Sequence, residues 1–180
     1  MRQLFAVCWE IIMRKIGKFH KVSFERFQKD WEKIFGREDH MEEIYQGIRL
    51  PLRATALSAG YDFYAPAEIS LKPGESVMIP TGIRVEMEEG WVLTCYPRSG
   101  LGIRYRMQLD NTVGIIDGDY FYADNEGHIQ AKMTNCSQEG RCLSIPAGGG
   151  FMQGIFLPFG ITEDDQASGR RTGGFGSTGM

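Results

Sequence analysis

IRVEMEEGWVLTCY, residues 83–96, decides the fold. Ile83, Val85 and Met87 alternate with Arg84, Glu86 and Glu88; beyond a Glu-Glu-Gly turn, Trp91, Leu93 and Cys95 alternate with Val92, Thr94 and Tyr96. A period of two sends successive side chains to opposite faces of a strand, so each run offers one face to a core. Outward from this stretch, Ile129, Ala131 and Met133 repeat the pattern, and Leu143 with Ile145 give a shorter case. The segments KPGE (72–75), MEEGW (87–91), SQEGR (137–141) and PAGGG (146–150) carry turn residues. Short strands at such intervals, without helical patterns between them, predict an all-β antiparallel domain: a sandwich, jelly roll or barrel.

The rest of the chain is bounded by its composition. One hundred and eighty residues make one ordinary domain with room for a short extra element. Glycine, 23 residues, is nearly twice the ~7% average and fits a turn-rich β domain. A net charge of −3 argues against binding nucleic acid through bulk charge. No run approaches the ~20 apolar residues of a membrane span, and MRQLFAVCWEII lacks a cleavage site, so a cytoplasmic protein is expected. Cys8, Cys95, Cys136 and Cys142 form no CxxC pair and no ligand pattern with His20, His40 or His128, which predicts reduced, mostly buried thiols rather than a zinc site.

Before Leu50 the period is helical. Ser23 is placed to cap a helix whose stripe is Phe24, Phe27, Trp31, Ile34 and Phe35, with Gly36 as its stop. A second helix is expected to start at Asp39, with Glu42 completing an acidic capping box and Met41, Ile44, Tyr45 and Ile48 inward. The expected division is therefore a helical extension at 1–47, a β domain at 48–168 and a glycine-rich tail at 169–180. Met13 is an alternative start.

Three segments do not read as scaffolding. PRSGLG (97–102) ends a strand with a cation, a hydroxyl and close-approach glycines, a combination suited to phosphate oxygens, although a solvated turn would carry the same residues. LDNTVGIIDGDY (109–120) reads as a buried hairpin, yet carries Asp110, Asn111, Asp117 and Asp119 around Gly114; a carboxylate there is either used or paired. The tail GRRTGGFGSTGM (169–180) reads either as a frayed end or as a strip that closes over an anion and a flat base.

With SAGYDFYAP (58–66), PRSGLG (97–102), NTVGIIDGDY (111–120), FMQGIF (151–156) and GRRTGGFGSTG (169–179) in this order, the chain resembles the trimeric dUTPases over roughly residues 48–180. The resemblance implies a jelly-roll-like β-clip fold, a homotrimer with shared sites, and Mg²⁺-dependent hydrolysis of dUTP to dUMP and pyrophosphate. That reaction limits uracil incorporation into DNA and supplies dUMP for dTMP synthesis. By motif, Asp117 matches the aspartate that activates water, and Asp119 a supporting acid. Tyr120 matches the ring that packs on deoxyribose. Asn111 and the backbone of Gly114, Ile115 and Ile116 match the uracil-reading hairpin. Arg98, Ser99, Gly100 and Gln153 match phosphate-binding positions. Asp62 matches an acid near the metal, acting through water. In the tail, Arg170 matches the grip on the terminal phosphate, Phe175 the ring over uracil, and Gly176, Ser177 and Thr178 the contacts beside them.

Three departures stand out. The arginine that opens the family's fourth motif is replaced by Gly150, with Arg171 and Lys132 as candidate substitutes. The glycine expected soon after Tyr120 is delayed to Gly127 by FYADNE. The N-terminal helices are additional. Two other readings stay open: a dCTP deaminase relative, whose hairpin would present a glutamate where Asp117 stands, and a nucleotide-binding or signalling protein without turnover.

Overall fold

The computed structural model, which describes residues 14–169 and Gly173, turns the alternating runs into strands. In chain order the elements are β1 (Gly17–Lys21), α1 (Phe24–Phe35), α2 (Met41–Gly47), β2 (Leu52–Arg53), β3 (Tyr61–Tyr64), β4 (Ile69–Leu71), β5 (Ser76–Pro80), β6 (Ile83–Met87), β7 (Trp91–Pro97), α3 (Ser99–Tyr105), β8 (Met107–Leu109), β9 (Gly114–Ile116), a 3₁₀ turn (Gly118–Tyr122), β10 (Gln130–Asn135), β11 (Leu143–Ile145) and β12 (Gly150–Pro158). The described strands pair antiparallel throughout. The largest sheet has the order β2-β3-β12-β7-β9; a second has β5-β10-β8; β1 pairs β6, and β11 pairs β4. The architecture is mostly β with three short helices, in line with the jelly-roll-like expectation.

The faces are those that alternation assigns. Ile83 and Val85 of β6, Leu93 and Cys95 of β7, and Ala131 and Met133 of β10 are buried, and join Phe63, Leu143 and Phe151 in one apolar core. Val22, Phe27, Trp31, Met41 and Ile48 belong to the same core, so the helical segment packs into the β domain. At ~25 cal/mol per Å² of apolar surface removed from water, side chains as large as Phe27 and Trp31 each contribute roughly 2–3 kcal/mol through that packing.

Several local expectations are corrected. The N-terminal segment is not only helical, because GKFHK forms β1 and pairs with β6 in the register Gly17↔Met87 to Lys21↔Ile83. Ser23 does cap α1, its hydroxyl accepting from the Arg26 amide at 3.1 Å, and the Gly36 amide closes the last turn onto the Glu32 carbonyl. The second helix instead starts after His40, with no side-chain cap, so Asp39 and Glu42 form no capping box. PRSGLG is not a turn: Ser99 begins α3, which ends where Arg106 adopts a left-handed conformation at φ 51. Of the described cysteines only Cys95 is buried, and burial pushes its thiol up to about 12; Cys142 is exposed. No helix among the described residues is long and apolar enough to cross a membrane.

Candidate active site

The stretch 109–116 expected as a hairpin instead joins two sheets: β8 pairs β10, while β9 pairs β7. The bend between them is tight, with the Thr112 amide on the Leu109 carbonyl at 2.9 Å and the Val113 amide on the Asn111 carbonyl at 2.7 Å. A cavity of about 340 Å³ opens where the sheets part, with Asn111, Gly114 and Ile116 in its wall and Met78, Cys95 and Met152 supplying apolar surface. Gly114 sits close over Cys95: a Cβ at position 114 would lie 3.1 Å from the Cys95 Cβ. Ile115, one residue along the strand, is half exposed, so only its backbone is available to the cavity.

Asp110 lies on the same cavity wall, and the alternative of a paired carboxylate holds. It takes a hydrogen bond from the Thr134 hydroxyl and an ion pair from Lys132 at 3.1 Å. The Thr134 bond, assisted by Lys132, keeps its carboxyl below the usual range despite partial desolvation. Lys132 is thereby engaged. The position matching the missing arginine is filled otherwise: a Cβ at Gly150 would lie 2.7 Å from Arg98 Nη1, so the absent side chain is the seat of the Arg98 guanidinium.

Arg98 is the hub of a second cluster. Its Nε lies 3.7 Å from Asp62 Oδ1, and its amide donates to the Phe151 carbonyl at 3.0 Å. Asp62 of β3 faces Gln153 of β12 across the ladder. Gln153 in turn needs Gly60, where a Cβ would stand 2.6 Å from Gln153 Oε1. Ser99 and Gly100 open α3, whose N-terminus has no side-chain cap. The structure thus gathers Asp62, Arg98, Ser99, Gly100 and Gln153 at one end of β3, β7 and β12, and Asn111, Gly114 and Ile116 at the cavity. Met152 bridges them, lining the cavity and pairing with Pro97.

Asp117 follows β9 directly in extended conformation, and its carbonyl accepts from the Tyr120 amide at 3.1 Å. Asp119, two residues on, is exposed. Tyr120 departs from expectation. Its ring is 2% exposed, and its hydroxyl donates to the His128 carbonyl at 2.8 Å while accepting from Asn125 Nδ2 at 2.7 Å. A ring so enclosed presents no face to a sugar in this arrangement. Arg170, Phe175, Gly176, Ser177, Thr178 and Arg171 lie outside the described residues.

A model of the dUTPase family matches residues 46–179. The chain belongs to the dUTPase family. The deoxyuridine 5′-triphosphate nucleotidohydrolase of Lactococcus lactis is 44% identical over 150 residues, which cover 82% of this chain and 99% of that protein. The crystal structure of dUTPase from Streptococcus mutans superposes with a TM-score of 0.60 at 32% identity, over 81% of this chain and 98% of that one. A mutant dUTPase from phage phi11 of S. aureus shares the fold at 18% identity and a TM-score of 0.59, over 86% and 98% of the two chains, and its structure details coordination of a structural Mg(II) ion.

The donor set can be weighed for such a metal. Among the described residues no group of three or more His, Cys, Asp or Glu side chains could hold an ion. Asp62 is a single carboxylate, already beside Arg98. That does not fit a protein-built cage. It fits a Mg²⁺ that keeps its waters and is carried on substrate phosphates, with one carboxylate outside them.

Sequence reasoning missed Met78, Cys95 and Met152, because an apolar residue of a strand gives no local sign that a cavity rather than another side chain lies above it.

Proposed function

We propose that this chain hydrolyses dUTP to dUMP and pyrophosphate at the cavity between β8 and β9, with Asp117 as the group that takes the proton from the attacking water. One observation carries the reading: the strand forming the cavity wall, β9, runs straight into Asp117. β9 is also the edge of its sheet, with β7 on one side only, so its outward amides and carbonyls serve to read the polar edge of a base. Apolar surface from Met78, Cys95 and Met152 suits a flat pyrimidine and leaves its polar groups to the backbone and Asn111. Rejection of one extra methyl by such a wall is worth ~1–3 kcal/mol.

Arg98 and the N-terminus of α3, with Ser99, Gly100 and Gln153, take the phosphates, as charge-assisted donors do. Asp62 would hold Mg²⁺ through the ion's waters, and the ion would neutralise phosphate charge. The bond broken joins the first phosphate to the other two. The chain's own contribution is alignment and charge neutralisation around a positioned base. The active form is a homotrimer in the cytoplasm whose tail, with Arg170 and Phe175, closes a neighbouring site.

Pyrophosphate release measured with Mg²⁺ across dUTP, dCTP, dTTP and UTP tests the reading. Release from dUTP alone is expected. Ammonia from dCTP would show a deaminase, and no product from any would show a binding protein.

A further inference from the structure

The two parts of the chain that the motifs leave without a role, α1 and the segment 121–127, are bonded to each other. Helix α1 begins at Ser23, whose hydroxyl caps the Arg26 amide. In a capping box the third residue after the cap is Glu or Gln, and its side chain returns to the cap's own amide. Here that residue is Arg26, and the carboxylate arrives from the other end of the domain. Glu126 Oε2 accepts from the Ser23 amide at 2.8 Å, and Oε1 from the Ser23 hydroxyl at 2.6 Å. The helix N-terminus, rich in unpaired amides, favours that negative charge.

Two further contacts run along the same side of α1. Arg26 Nη2 donates to the Asp124 carbonyl at 3.0 Å, and Asp30 Oδ2 lies 2.8 Å from His128 Nδ1. Residues 23, 26 and 30 thus hold residues 126, 124 and 128. Arg84 of β6 adds to the hold: its Nη2 donates to the Phe121 carbonyl at 2.6 Å, its guanidinium lies 3.7 Å from the Phe121 ring centroid, and its Nη1 is 4.0 Å from Glu126 Oε2. Glu126 itself sits at φ 59, a left-handed conformation that costs a side-chain-bearing residue energy and persists only where surroundings enforce it. Gly127 follows at φ 67, where a Cβ would stand 2.6 Å from the Tyr120 carbonyl oxygen.

From Glu126 a run of turn hydrogen bonds leads back to the site. The Glu126 amide donates to the Ala123 carbonyl at 2.8 Å, the Ala123 amide to the Tyr120 carbonyl at 3.1 Å, and the Tyr120 amide to the Asp117 carbonyl at 3.1 Å. Each step spans three residues and joins backbone to backbone. The helix cap and the residue assigned to activate water are therefore the two ends of one hydrogen-bonded path.

We propose that Glu126, latched onto Ser23, is a positioning residue for Asp117, so that the N-terminal helix sets the geometry of the catalytic turn. The proposal rests on the reading of Asp117 given above. A misplacement of ~1 Å in a reacting group can cost up to 10²-fold in rate, so a loosened turn is expected to show in kcat. Substrate affinity should change little, because Asn111, Gly114 and Ile116 of the cavity wall lie before the latched segment.

The test uses the full chain with dUTP and Mg²⁺, with folding checked by circular dichroism. Glu126→Asn tolerates the left-handed backbone, but its shorter side chain cannot reach Ser23. It should lower kcat about 10-fold, within the range a misplaced group allows, with KM within about twofold. Glu126→Gln, which keeps an acceptor for the Ser23 amide, should recover most of that loss. Ser23→Ala, which removes one of the two bonds, should lower kcat less than Glu126→Asn, and the double variant should match Glu126→Asn instead of adding to it. A folded Glu126→Asn with unchanged kcat and only a lower melting temperature would overturn the proposal, since a merely structural latch does that. If Glu126→Asn does not fold, unchanged kcat in Ser23→Ala overturns it equally. Asp117→Asn, run in parallel, separates the two readings. Near-normal turnover there overturns the role of Asp117 and the latch with it, whereas loss there beside unaffected latch variants overturns the latch alone.

Discussion

Asp30 and His128 give the most sharply defined stability prediction. His128 is fully buried, and its Nε2 accepts from the Gly82 amide at 2.8 Å. A ring nitrogen that accepts carries no proton, so this is the neutral tautomer with its hydrogen on Nδ1, aimed at Asp30 Oδ2. Asp30→Ala leaves that N–H buried without an acceptor, a penalty of ~1–3 kcal/mol. It also removes the pairings to Arg26 at 3.6 Å and Lys33 at 3.5 Å. The Lys33 side chain is 63% exposed, so that pair is largely screened. Together the two ion pairs are worth about 0.5–1 kcal/mol.

Asp30→Asn separates these effects, because its amide oxygen still accepts from Nδ1 while the charge is gone. Alanine should therefore cost ~1.5–4 kcal/mol and asparagine ~0.5–1 kcal/mol. At ~2–4 °C per kcal/mol for a chain of this size, alanine should lower the melting temperature by about 3–16 °C and asparagine by at most ~4 °C. Thermal and urea melts at one fixed protein concentration measure this, since assembly would make the midpoint concentration-dependent. Equal losses in the two variants would refute the orphaned-donor argument, for then charge alone would account for the effect.

Other expectations follow from the same geometry. Asp117→Asn keeps shape but accepts no proton, so kcat should fall ~10²–10⁴-fold with dUTP binding largely kept, read by steady-state kinetics and calorimetry. Gly150→Ala would push the Arg98 guanidinium from its seat; KM for dUTP should rise, at most about 100-fold, the worth of one charge-assisted contact, and an unchanged KM would show that this seat is not used. The carboxyls of Asp30 and Glu126 are both pushed up by burial, but more strongly lowered, by the His128 bond at Asp30 and by the Ser23 bonds at Glu126, with cations nearby in each case. Each therefore ionises more readily folded than unfolded, so its contribution is complete above the ordinary carboxylate range of about 3.9–4.3 and is lost as pH falls below it; melting temperature should drop over that window, less steeply in Asp30→Asn. If the tail closes the site as proposed, deleting residues 170–180 should spare the melting temperature and remove most activity, while Phe175→Ala should be milder, because it removes only the proposed stacking ring and leaves Arg170 in the chain.

The strands were legible where alternation ran five residues or more, as at 83–87 and 91–95, because burial on one face is written into a period of two. β1 was not. Its five residues, GKFHK, contain one large apolar side chain, and its partner β6 lies beyond two helices and four strands in the chain. A strand defined by a distant neighbour leaves no local mark. PRSGLG hid a helix for another reason: Gly100 and Gly102 lower helix propensity, and tertiary context overrode it. The motif residues of the site were legible by type and order. What gathers them was not, for Gly60 and Gly150 matter through space that they leave for Gln153 and Arg98. Tyr120 shows the converse: its sequence position matched a ligand contact, while its hydroxyl found partners in His128 and Asn125 eight and five residues downstream.

His128 and Glu126 join the additions to the minimal domain to one another. Read singly, the N-terminal helix resembles an appendage and FYADNE an insertion, each removable in principle. The structure gives them one shared interface. Without α1, the His128 Nδ1–H would lose its acceptor and the Glu126 carboxylate its two donors, and the core would lose Phe27 and Trp31. Without the 121–127 segment, the Ser23 amide would lose the Glu126 carboxylate and the Arg26 guanidinium the Asp124 carbonyl. Buried polar groups are costly when unpaired, so the His128–Asp30 pair in particular ties α1 to the chain that follows the 121–127 segment. The interface ends in the turn that carries Asp117, which places a feature absent from the motifs in hydrogen-bonded continuity with the residue proposed to activate water.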